Sequence, residues 1–310
     1  MRKIMLGLSG LEVPTIAVGC MRINGLEKKE LHGFLNTALE NGANFFDHAN
    51  VYGGGECESL FGQAMGEMSL RREDIIIQTK CGIKQVGGSN VSFDFSYEHI
   101  VSEAEKSLKR LGTDYIDVLL LHRPDTLMEP EEVARAFSEL KATGKVRHFG
   151  VSNQKPGMIE LLKKYCPMPI AANQMQLSIA VSSLVTQGIH TNTASDFGIE
   201  RDGGLLEYCR LNDITIQPWS PMQYGFFEGT FLGSPKYPEL NAVLERLAEK
   251  YSISPTGMAI AWLLRHPAKM QPVTGTTNAR RLLDCINAAD VAITREEWYE
   301  IWKAAGNFLP

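Results

Sequence analysis

Asp47, Lys80 and His122 each end a short run of apolar or β-branched residues, and each can hold, move or neutralise a proton. Ser152 with Asn153, Gln174, and Trp219 with Ser220 end further runs of the same kind, and Thr276 follows another. Any one of these has an ordinary explanation, since a lone Asp or Asn often caps the next helix and a lone His is often satisfied within a core. Repetition at successive run ends is harder to assign to packing, because burying a polar group without a partner costs about 1–3 kcal/mol. The set points to an active site built at one mouth.

Several chemistries can be set aside by residue type. Asp47, His48 and His122 suggest a metal, but the second His-x-His or Glu-rich cluster of a barrel metallohydrolase is missing, so no metal ligand is assigned. A Schiff-base site would use Lys80 alone and leave Tyr52 unexplained. Gly53, Gly54 and Gly55 form a run, yet neither GxGxxG nor GxxxxGK[ST] occurs, so any nucleotide must be held other than by a Rossmann or P-loop motif.

The elements that must position these residues alternate regularly. Runs at 15–19, 43–47, 74–80, 116–122, 148–152, 171–174, 215–219 and 271–274 read as eight strands, separated by amphipathic segments such as 28–41, 97–111, 130–143 and 155–165. Eight βα units predict a closed parallel (β/α)8 barrel, whose active site lies at the C-terminal ends of the strands. Segments 3–6 and 12–14 predict a hairpin that plugs the barrel bottom, and 294–305 predicts an extra C-terminal helix. No linker or composition break divides residues 1–310, so one domain is expected. Connections 177–203 and 221–238 exceed ordinary barrel-loop length, and the second carries Tyr224, Phe226, Phe227, Phe231 and Tyr237.

The chain's 310 residues, 44% hydrophobic, can bury a core unaided. A net charge of −5 offers no footprint for nucleic acid or an anionic membrane, and no stretch has the length of a signal peptide or membrane span. Six cysteines without CxxC or zinc spacing suit reduced thiols, so a cytoplasmic protein is expected; its oligomeric state is not legible.

The motifs Phe46-Asp47-His48-Ala49-Asn50-Val51-Tyr52, Gln78-Thr79-Lys80, Leu119-Leu120-Leu121-His122-Arg123-Pro124-Asp125, Gly150-Val151-Ser152-Asn153 and Gly275-Thr276-Thr277 occur in this order along the chain. With them the sequence resembles the aldo-keto reductases over essentially its whole length, and the bacterial-type oxidoreductase branch more than the animal one. The resemblance implies a catalytic tetrad of Asp47, Tyr52, Lys80 and His122, and NADPH-dependent reduction of an aldehyde or ketone. The residue types suit that reaction: a carbonyl accepting hydride needs a proton donor and an electrostatic stabiliser at its oxygen. Tyr52 would be the acid, Lys80 the cation that stabilises its anion, Asp47 the group that keeps Lys80 protonated, and His122 a neutral donor to the substrate oxygen.

Position within the resemblance also implies the NADP(H) contacts. Ser152, Asn153 and Gln174 would hold the nicotinamide carboxamide, and Trp219 would stack on its ring where the family usually has tyrosine. Ser220, Pro221 and Met222 would follow the pyrophosphate, with Gly19, Met21 and Arg22 near the same region, and Asp47 is also among the implied cofactor contacts. At the adenine end Gly275 stands where many members have lysine, while Thr276, Thr277 and Arg281 still suit a 2′-phosphate. His48 and Met21 also depart from common family residues, so the substrate pocket differs from that of the best-known aldose reductases. Cys57 and Cys81 lie near Tyr52 and Lys80 in sequence, which raises thiol sensitivity as one reading, but the favoured reading is that both pack as small buried residues. The competing reading is a nicotinamide-binding regulatory subunit, because channel β-subunits resemble the same family.

Overall fold

The computed structural model describes residues 1–85 and 91–310. Eight parallel strands form the central sheet: β1 (Ala17–Gly19), β2 (Phe45–Asp47), β3 (Ile76–Cys81), β4 (Ile116–Leu121), β5 (Val146–Ser152), β6 (Ile170–Gln176), β7 (Thr215–Trp219) and β8 (Val273–Thr274). Their order is β7-β6-β5-β4-β3-β2-β1-β8. At the open seam the Gln271 backbone N–H donates to the Ile216 carbonyl at 3.0 Å, and the Gln217 side chain donates to the Gln271 side-chain carbonyl at 2.8 Å. The sheet therefore curls into the expected barrel.

The strand ends fall close to their sequence expectations, and the differences have local causes. β1 starts at Ala17 because Thr15 is drawn into the N-terminal hairpin, where its backbone N–H and hydroxyl both donate to the Arg2 carbonyl. β8 starts at Val273 because Pro272 has no N–H to give a ladder. β6 runs on to Gln176, in register with Trp219.

Local chemistry sets the helices around the barrel. Glu27 and Glu30 form a reciprocal capping box on Lys28–Glu40, and Ser96 caps Tyr97–Leu111, which stops at left-handed Gly112. Proline opens Pro130–Ala142, Pro156–Tyr165, Pro238–Tyr251 and Pro255–Arg265, where its missing N–H costs nothing. The expected last helix spans Arg295–Ala304 and is locked on by stacked Trp262 and Trp298, each of whose indole N–H groups donates to the other's carbonyl.

Lys3–Met5 pairs with Glu12–Pro14 as the predicted hairpin. Its Leu6 and Val13 are fully buried against Ala17, Phe45, Val118, Leu120 and Ala172 of the barrel interior, so the hairpin is a plug. A polar layer crosses the barrel within this apolar packing. The Gln271 side-chain N–H donates to the Pro14 carbonyl at 2.7 Å, Gln217 donates to Gln271, Gln78 donates to Gln217 at 2.9 Å, and Gln78 also donates to Asp47 at 2.6 Å.

The strands approach closely at the β1–β8 pair, next to the seam. A Cβ on Gly19 would stand 2.4 Å from the Thr274 carbonyl oxygen across the β1–β8 pair, where backbone on both sides leaves no room. Gly19→Ala should destabilise the fold by about 1–3 kcal/mol, seen as a lowered denaturant midpoint with an unchanged slope.

Candidate active site

The sequence places an aspartate at the end of β2 and a lysine one residue before the end of β3, and the fold brings them together in a buried site. The Lys80 ammonium lies 2.7 and 2.8 Å from the two Asp47 carboxylate oxygens, 2.7 Å from the His48 carbonyl and 3.2 Å from the Tyr52 hydroxyl. Lys80 is fully buried. Tyr52 reaches it because Gly53, Gly54 and Gly55 all adopt left-handed backbone, with φ of 57°, 65° and 97°, folding the chain sharply into helix Glu56–Glu67. The Tyr52 and His122 rings stand edge to face, 6.0 Å between centroids.

Electrostatics follow from this burial. Burial alone would lower Lys80, but Asp47 and then Tyr52 overcome it and raise its pKa above the ordinary value, so it stays charged. Burial pushes the Tyr52 phenol up and Lys80 pulls it down, and burial prevails. That corrects a simple picture in which the cation makes Tyr52 a stronger acid in the resting site: the phenol keeps its proton. Burial, then Lys80 and Arg123, holds His122 well below 6.5, so its ring is neutral at physiological pH. The Cys57 and Cys81 thiols are pushed up by burial, which makes them poor nucleophiles and removes the basis for thiol sensitivity.

A cavity of about 650 Å³ opens over this cluster. Every residue assigned to the site from sequence lines it except two: Lys80, enclosed behind Asp47 and Tyr52, and Thr277. Thr276 turns the chain toward Asn278, the cap of helix Ala279–Asn287, and that turn leaves Thr277 out of the lining. Gly19 lines the cavity, but its lack of a side chain answers to Thr274. Ser152, Asn153 and Trp219 satisfy one another: the Trp219 indole donates to the Asn153 side-chain carbonyl at 3.1 Å, and the Asn153 amide donates to the Ser152 hydroxyl at 2.7 Å. Asn153 and Ser220 both adopt left-handed backbone, with φ of 57° and 53°, conformations a non-glycine residue holds only where its surroundings demand it. Arg22 donates to the Gly275 carbonyl at 3.2 Å, which puts a guanidinium beside the position that lacks a basic side chain.

Two groups of residues were missed by the sequence reading. Gln78, Gln217 and Gln271 lie inside the barrel, and an amide in a β-run carries no signal of its own. Gln174, expected at the cavity, also belongs to that layer, for its amide donates to Asp47 at 3.1 Å. Arg123 lines the cavity too, and its place directly after His122 was the available clue.

Residues 15–305 match the Aldo/keto reductase family. The chain belongs to the aldo/keto reductase family. It is 34% identical to an uncharacterized oxidoreductase, YcsN, of Bacillus subtilis, over 99% of both chains. It is 32% identical to a 6-dehydroglucose reductase of Agrobacterium fabrum, over 95% of each. A thermostable aldo-keto reductase, Tm1743, crystallised with the inhibitor epalrestat, superposes with a TM-score of 0.75 at 27% identity, covering 98% of this chain and all of that one. As a member of this family the protein is an oxidoreductase. Among the described residues no helix is long and apolar enough to cross a membrane, and no three His, Cys, Asp or Glu side chains gather as for a metal.

His48, beside Asp47, is fully buried with both ring nitrogens unpartnered, and burial followed by Lys80 pushes its pKa down to about 3. The unfolded chain therefore takes up a proton near pH 6.5 that the folded chain refuses, and stability falls as pH drops from about 6.5 toward 3. In His48→Gln the slope of unfolding free energy against pH in that window should be shallower by close to one proton, about 1.4 kcal/mol per pH unit, by denaturant titration at a series of pH values.

Proposed function

We propose that the protein uses NADPH to reduce an aldehyde or ketone to the alcohol, with Tyr52 as general acid. The observation that carries this reading is the Lys80 ammonium, which touches the Asp47 carboxylate and the Tyr52 hydroxyl at once, at the edge of a cavity that His122 also lines.

The lining residues fit a nicotinamide dinucleotide. A cavity of this size is within the ~300–1,000 Å³ range of cofactor and substrate pockets. One region offers the indole of Trp219 and the amides and hydroxyl of Ser152, Asn153 and Gln174, suited to a flat ring with a carboxamide. Another offers Thr276 and Arg281 at the N-terminus of helix Ala279–Asn287, with Arg22 nearby, suited to phosphate. Met21, Ser220, Pro221 and Met222 line the cavity as well, and Gly275 supplies the carbonyl that holds Arg22. The bound nicotinamide would supply a hydride to the carbonyl carbon.

The chain's own part is the proton and the charge. Tyr52 holds its hydroxyl proton until negative charge grows on the substrate oxygen, and then releases it there. Lys80, 3.2 Å away, stabilises the phenolate left behind, at the moment when a nearby positive charge counts most. Asp47 keeps Lys80 protonated and fixed. Among the described residues neutral His122 makes no side-chain hydrogen bond, and it is free to donate its one N–H to the substrate oxygen and orient it. The alternative of a nicotinamide-binding regulatory subunit would not require all four groups to be complete and in contact range.

NADPH oxidation by the purified protein across aldehydes, ketones, dicarbonyls and quinones tests this. Turnover should fall about 10²–10⁴-fold in Tyr52→Phe while NADPH binding, followed by fluorescence, persists. Tight binding with no turnover by the unsubstituted protein on any carbonyl would sink the reductase and favour the regulatory subunit. Arg281→Ala should weaken NADPH binding roughly tenfold or more and leave NADH binding little changed, since only the former carries the 2′-phosphate.

A further inference from the structure

We propose that Arg123 is a subsite for a carboxylate borne by the substrate, so that the preferred carbonyl compounds are oxo acids. The proposal rests on the reductase reading and names a substrate class for it.

Arg123 follows His122 directly at the C-terminal end of β4 and lines the same cavity. It is half-buried, yet among the described residues its guanidinium makes no ion pair and no hydrogen bond, and residues 86–90 contain no acidic side chain. Partly buried arginines elsewhere in the chain are paired: Arg72 holds Asp117 at 2.6 Å and Arg110 holds Glu58 at 2.7 Å. What holds Arg123 is aromatic, with the guanidinium 5.4 Å from the Trp219 ring and 5.8 Å from that of Phe226. Cation–π contacts at this range hold the charge near the rings and use none of the guanidinium's N–H donors.

Topology separates this cation from those suited to cofactor phosphates. In the strand order β4 lies four places from β8, across the mouth of the barrel, and β8 is followed by Gly275, Thr276 and Arg281, with Arg22 tied to Gly275. Arg123 instead follows His122 in the chain and lines the cavity with it and Tyr52. Among the described residues the only carboxylate lining the cavity is that of Asp47, already held by Lys80. A half-buried cation with aromatic backing and free donors wants an anionic partner, and the substrate is the group left to bring one. A planar fork gives a carboxylate two parallel N–H to oxygen bonds, and the cations suited to cofactor phosphate stand on the far side of the mouth.

The experiment compares matched substrates, succinic semialdehyde against butanal and 4-carboxybenzaldehyde against benzaldehyde, as the ratio of kcat/KM within each pair. In Arg123→Met each ratio should fall by ~10–100-fold relative to the unsubstituted enzyme. Arg123→Lys, which keeps the charge but loses the fork, should fall between the two. A ratio unmoved in both variants, each folded by its thermal melt, overturns the proposal, as does a loss confined to NADPH affinity. Benzoate titrated calorimetrically into the protein and into both variants gives a reading independent of turnover. Binding to the unsubstituted protein that Arg123→Met loses supports the subsite even if no carbonyl is reduced, a result that would sink the reductase alone. Equal binding by all three proteins, or none by the unsubstituted one, removes the subsite whatever the turnover.

Discussion

The buried Asp47–Lys80 ion pair is the constraint to which the upper barrel is fitted. Taking two charges out of water costs several kcal/mol per ion, and mutual attraction repays it only where the remaining donors and acceptors are also satisfied. Here they are. Lys80 spends its donors on both Asp47 oxygens, the His48 carbonyl and the Tyr52 hydroxyl, while one Asp47 oxygen also receives the amides of Gln78 and Gln174. The glutamines crossing the barrel are intelligible as solvation for a carboxylate that is almost wholly buried. The sharp glycine turn after Tyr52 is intelligible in the same way, for it returns a phenol to the ammonium.

A barrel is suited to this because each strand carries a side chain to the mouth without needing its neighbours in sequence. Asp47, Lys80 and His122 come from three successive strands, and Gln174 from a fourth, separated by whole helices in the chain. Their mutual geometry is held by the strand register, with Gly19 opposite Asp47 and Asp47 opposite Gln78. The apolar layers below, from Leu6 of the plug to Leu120, fix that register by packing.

Much of this could be read in the chain. Alternating short apolar runs and amphipathic segments gave the barrel, and polar residues at run ends gave its functional face, because both are periodic signals. The boundaries that slipped were those decided by tertiary partners: Thr15 answers to Arg2, and Gln176 to Trp219. The glutamine layer was illegible because an amide reads the same whether it faces solvent or a buried carboxylate. The raised pKa of Tyr52 was also out of reach, since it is a contest between burial and Lys80 that only the depth of the site decides. Arg123 was visible as a residue, but its lack of a carboxylate partner is a fact of three dimensions.

The glutamine layer also has a direction. The Pro14 carbonyl can only accept, so the Gln271 amide must turn its N–H₂ toward it and its carbonyl toward Gln217. Gln217 then offers N–H₂ to Gln271 and its own carbonyl to Gln78, which is left with an N–H₂ group for Asp47. Asp47 likewise only accepts, so the orientation of three amides suits both ends at once: a backbone oxygen at the barrel base and a carboxylate at its mouth each meet a donor. The plug closes the barrel below, and its Pro14 carbonyl is the far end of a relay of amide polarity that reaches the ion pair.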